Sequence, residues 1–144
     1  MSFELQNDKL EKALVQELLN DSSIDNKVSN SKGNKNIQPL KFEEGTDLDN
    51  GYGIKYSLLD GNKKWPITND DMYQIDCFAD TYSNAKALAE DVFRVLNYFK
   101  NDTLNKGGNH TYFVNNVIIE GVEALSDEDL DMYYIPLEVK FISE

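Results

Sequence analysis

The sequence predicts an α+β fold: a mainly antiparallel β-sheet, a long amphipathic helix packed on one face, an N-terminal helix and long polar loops. Three observations carry this reading. Ala85, Leu88, Ala89, Val92, Leu96 and Phe99 recur at helical spacing, with Phe93 and Val95 at the margins. Tyr133, Ile135, Leu137, Val139 and Phe141 alternate with Tyr134, Glu138 and Lys140, the period-two pattern of a strand with one buried face. The remaining strand candidates come in hairpin-like pairs instead of alternating with helices.

In chain order, the first helix is expected over about 8–20. Leu10, Ala13, Leu14 and Leu18 share one face, widened by Val15 and Leu19, while Lys9, Glu11, Lys12 and Gln16 point away. Asp8 followed by Glu11 has the spacing of a capping box. Residues 21–37, rich in Ser, Asn and Lys, predict a mobile loop. Residues 38–42 predict a short edge strand, kept at the periphery by Pro39, and 43–50 an acidic turn. Tyr52, Ile54, Tyr56 and Leu58 alternate as a strand that ends at an Asp60-Gly61 turn, with 62–66 continuing the connection.

The next strand is expected over 72–79, with Tyr73, Ile75 and Cys77 facing one way and Gln74 and Asp76 the other. Residues 80–83 supply cap side chains for the long helix. Residues 101–111, with Gly107-Gly108, predict a second mobile loop, and 112–123 a strand around Val117-Ile118-Ile119 with Gly121 as a bulge. Residues 126–131 read as an acidic hairpin connection. Pro136 has no N–H for the ladder, so the last strand is expected to lie at an edge or to bulge there. The whole chain, 1–144, is read as one domain.

Charge narrows the function. With 14 basic and 26 acidic residues the net charge is −12. That opposes gripping of phosphates or anionic membranes and suits a wall that repels DNA. The N-terminus has neither the basic region nor the apolar run of a secretory signal. No apolar stretch approaches the ~18–20 residues of a membrane helix, so no membrane association is expected. A single cysteine, Cys77, excludes an intrachain disulfide.

Candidate chemistry is sparse. His110, the one histidine, stands in a Gly-rich polar stretch without a partner in sequence, and Cys77 falls on an apolar strand face. No nucleophile elbow, phosphate loop or paired Cys motif is present. The segments 47–51 and 127–131 resemble calcium loops only in part. Gly51 stands where the fifth-position ligand belongs, and Met132 where the glycine belongs. No catalytic residue, cofactor or metal is expected, and the protein is not read as an enzyme. Tyr82, Tyr98, Tyr112, Tyr133, Tyr134 and Trp65 are not interleaved with Lys or Arg, so packing or a subunit interface explains them better than base stacking.

Three segments together resemble a known family. These are the strand Tyr73-Gln-Ile-Asp-Cys-Phe-Ala79, the Ala-rich helix start Thr81-Tyr-Ser-Asn-Ala-Lys-Ala-Leu-Ala89, and the closing pair over 117–141, whose acidic turn precedes a strongly alternating last strand. Their order is similar to that of the tail-completion (tail-terminator) proteins of long-tailed bacteriophages. The resemblance implies a non-enzymatic virion protein assembled in the host cytoplasm. It implies a homo-oligomeric ring, typically of six subunits, that caps the tail tube protein, meets the head-side connector or stopper protein, and lets DNA pass transiently and without sequence preference. It further implies an acidic lumen or axial face, for which Glu43, Glu44, Asp47 and Asp49 are the candidates, and a lateral subunit contact, for which Tyr134, Glu138 and Lys140 are the candidates. Two alternatives stay open: beside the resemblance, another neck or injection-system protein, such as a stopper, and, from the charge, an acidic inhibitor-type module that masks a basic partner.

Overall fold

The computed structural model describes residues 6–39, 48–64, 68–121, 125–128 and 130–143. The fold is α+β, as the sequence predicts. Among the described residues three helices, α1 (Gln6–Leu19), α2 (Ser22–Val28) and α3 (Tyr82–Leu96), accompany seven strands. The strands are β1 (Ile37–Pro39), β2 (Tyr52–Lys64), β3 (Thr68–Ala79), β4 (Lys100–Leu104), β5 (Tyr112–Gly121), β6 (Leu125–Asp127) and β7 (Met132–Ser143). They form one sheet in the order β1-β2-β3-β7-β5-β4, with β6 also paired to β7. Among the described residues only β1 runs parallel to its neighbour, and every other strand pairing is antiparallel.

Hydrophobic periodicity fixes which face is covered. Tyr73, Ile75 and Cys77 of β3 and Leu137, Val139 and Phe141 of β7 are buried together with Leu88, Ala89, Val92 and Leu96 of α3. Leu10, Ala13, Leu14 and Leu18 of α1 join the same core. Tyr73 and Phe141 meet edge to face at 5.9 Å and 77°. Thr81 caps α3 by accepting from the Asn84 N–H at 3.1 Å.

The first expected loop is a helix. Ile24 and Val28 are fully buried, four residues apart on the inner side of α2. Asp21 caps that helix by accepting from the Ile24 N–H at 3.2 Å, and its two carboxylate oxygens accept from Arg94 of α3 at 2.9 Å each. Ser23 and Lys27 both donate to Asp91 of α3 at 2.8 Å. The polar residues that resembled a loop are the cap and the outward face of a two-turn helix. Beyond it, Asn36 is fully buried. Its carbonyl accepts from the Ile54 N–H at 2.7 Å, and its side chain donates to Asn50 at 3.0 Å, tying this segment to β2.

The second expected loop is largely strand and ordered turn. β4 occupies 100–104, and Asn105, at φ 54°, is buried at the turn that follows. Its N–H donates to Glu17 at 2.8 Å, its side-chain oxygen accepts from Asn20 at 2.9 Å, and its amide nitrogen donates to the His110 carbonyl at 2.7 Å. A Cβ on Gly108 would lie 2.3 Å from that amide nitrogen, so the second glycine is a packing requirement.

Three smaller expectations change as well. Asp60-Gly61 is no turn: β2 shifts register between Leu58 and Asp60 and continues to Lys64, paired with β3. Gly121 pairs in register with Leu137, so no bulge stands there; the inward parity of β5 changes earlier, Val114 and Val117 both being buried across Asn115-Asn116. Pro136 stands inside the sheet, on a strand flanked on both sides. It is tolerated at a seam: pairing to β5 ends at Leu137 and pairing to β6 begins at Tyr134.

Candidate interaction surface

Among the described residues the helices pack on one side of the sheet, and the other side carries the outward parity of β2, β3, β7 and β5. The structure brings Tyr134, Glu138 and Lys140 together on this helix-free side. Tyr134 lies opposite Phe78, Glu138 opposite both Gln74 and Glu120, and Lys140 opposite both Met72 and Ile118.

One end of this face is stiff. The rings of Phe78 and Tyr134 stack at 4.8 Å and 18°, and the Lys55 ammonium lies 4.5 Å from the Phe78 centroid. Such contacts hold the three side chains in register. Phe78 is only 1% exposed although it faces away from the helices. Gln74 donates to Asp76 at 2.8 Å. Burial raises the Asp76 carboxyl above its ordinary range, opposed by that hydrogen bond and by the Lys55 charge. The other end is open. A hollow of about 70 Å³ is lined by Met72, Ile118, Glu120, Glu138 and Lys140, and Ile118 is 44% exposed. Glu120 and Glu138 are directly opposed like charges, an arrangement that weakens an isolated sheet and favours a cationic neighbour.

Of the acidic quartet, Asp49 is exposed in the turn before β2, whereas Glu43, Glu44 and Asp47 lie outside the described residues, as does Trp65. Gly51 closes that turn at φ 81°, and a Cβ there would meet the Asp80 carboxylate at 3.0 Å. Asp127 accepts from the Leu130 N–H at 3.1 Å, so the second acidic segment is a β6–β7 hairpin turn. No group of three His, Cys, Asp or Glu side chains that could hold a metal occurs among the described residues. Cys77 is fully buried, and burial pushes its thiol far up. Tyr112 is buried, with its hydroxyl 3.0 Å from Ser143.

Phe78, Lys55 and Ile118 were not among the expected contact residues. The signal for Phe78 and Lys55 was their outward parity on β3 and β2. For Ile118 it was hidden, because the run Val117-Ile118-Ile119 is apolar on both faces.

No protein-family model matches the chain, and no curated protein sequence matches it. Among solved structures, a chain from the virion of a native gene transfer agent (GTA) particle matches with a TM-score of 0.62 at 18% identity, over 92% of this chain and 92% of that one. At that identity the likeness establishes the fold.

Proposed function

We propose that this chain is a structural subunit of a phage-like virion that works at the head–tail junction as a tail-completion protein. Six copies close into a ring that caps the tail tube and meets the head-side connector, and DNA passes through its lumen. The role involves no catalytic step and no cofactor.

The observation that carries this reading is the fold match to a chain of the gene transfer agent virion over 92% of both chains. Two features support it. A closed ring needs a heterologous, head-to-tail contact between two different surfaces. The helix-free sheet face around Tyr134, Glu138 and Lys140 is one such surface, and the exposed side of α3, with Tyr82 at 53% and Phe93 at 43% exposure, is a second. The net charge of −12 suits a lumen that DNA must cross without sticking.

Light scattering on the purified protein, alone and with tube subunits, tests the proposal. The expected species is near 99 kDa, six times the 16.5 kDa subunit, either free or on the tube end. A 16.5 kDa monomer that neither assembles nor limits tube growth overturns it. The acidic charge also favours a second reading, a binding module for a basic protein. That reading requires a monomer with one tight partner.

A further inference from the structure

A surface pocket of about 410 Å³ lies between the start of α1, β2 and the β4–β5 turn, away from the helix-free face. Asp8, Glu11 and Lys12 of α1 line it, together with Tyr56 of β2 and His110 of the turn. Asp8 and Glu11 are three residues apart, so their carboxylates are neighbours on one helix surface. Glu11 is held in place, because its carboxylate accepts from the buried Tyr73 hydroxyl at 3.0 Å.

Burial is the main cause that raises Glu11 above the ordinary carboxylate range, and the Asp8 charge adds to it. Burial and the Glu11 charge push Tyr56 up to about 12. The phenol therefore stays neutral, and the negative charge of the pocket rests on the two carboxylates. A concave site that gathers such groups is a candidate binding site.

We propose that this pocket receives an arginine side chain presented by a partner protein. A guanidinium fork carries five donors in one plane and can bridge the two carboxylates, whereas an ammonium is a point charge. Counting Asp8, Glu11 and Lys12, the wall carries one excess negative charge, which a single guanidinium neutralises. The volume falls within the range of small-ligand sites, and the chain's net charge of −12 attracts a basic segment.

The test is a titration of the ¹⁵N-labelled full-length chain with acetyl-Gly-Arg-Gly-amide, beside its lysine and citrulline analogues, at physiological salt. Expected are saturable amide shifts confined to residues 8–16, 55–57 and 108–112, with weaker binding of the lysine peptide and none of the neutral citrulline peptide. Losing one charge-assisted contact corresponds to about tenfold weaker binding, expected for both E11Q and D8N. E11Q also touches Tyr73, but D8N alters an exposed residue, so the test survives a folding defect in the first variant. Three results each overturn the proposal: non-saturating shifts spread over the acidic surface, equal binding of the citrulline peptide, or a D8N variant that binds like the native chain. None of them bears on ring assembly, which light scattering reads separately.

Discussion

Tyr73 shows how one side chain serves the core and the surface together. Its ring is fully buried against Phe141, and its hydroxyl reaches out to the partly exposed Glu11. Y73F therefore keeps the packing and removes one hydrogen bond, at a cost of about 1 kcal/mol at neutral pH by denaturant unfolding. The cost should be pH-dependent. Glu11 is raised in the folded protein, mainly by burial, and the Tyr73 bond partly counters that shift. The charged carboxylate thus destabilises the fold above its folded pKa, and the penalty disappears as pH falls through that value toward the ordinary 4.5. Tyr73 favours the charged form, so the Y73F cost should shrink over the same fall in pH. A cost that stays constant from pH 7 to pH 4 would show that the bond is not to the ionised carboxylate. Asp21 has the opposite sign. Arg94 holds its carboxyl below the ordinary 3.8, so its contribution is present above that value and fades as pH falls through the folded pKa.

At the level of elements, α2 was the part least legible in the sequence. Seven residues with only Ile24 and Val28 to bury give a helical periodicity too short to stand out from a polar loop. Its ties to Asp91 and Arg94 on α3 depend on residues 64 to 73 positions away. The prediction follows from burial. I24A should lower stability by about 2–5 kcal/mol, the range for truncating a buried isoleucine, read as a lowered denaturant midpoint. A substitution in a mobile loop would cost almost nothing, so an unchanged midpoint would restore the loop reading. The turn at Asn105 was hidden for a related reason. Gly107-Gly108 resembles slack, yet the glycine makes room for an amide fixed by α1. By contrast α3, β3 and β7 were plain from the chain, because each repeats its period long enough to exceed chance.

For the whole molecule, net charge sets the conditions of assembly. Subunits carrying −12 each repel one another, and the Debye length falls from about 30 Å at 0.01 M salt to about 8 Å at 0.15 M. At fixed protein concentration the average mass in solution should therefore rise with salt over that range. A fall instead would mean that ion pairs between subunits dominate over the general repulsion. The sequence by itself determined the α+β class, the inward faces of α1, α3, β3 and β7, and the acidic character of the surface. Those properties follow from local periodicity and from composition, which need no knowledge of neighbours. Only the tertiary structure decided that β7 lies inside the sheet despite Pro136 and that residues 22–28 are helical. It also decided that Lys55, Phe78 and Tyr134 form one stack, and that Asp8, Glu11 and Tyr56 share a pocket. Each of these depends on pairings between residues distant in the chain, and strand order and helix docking set those pairings, not the pattern of any one segment.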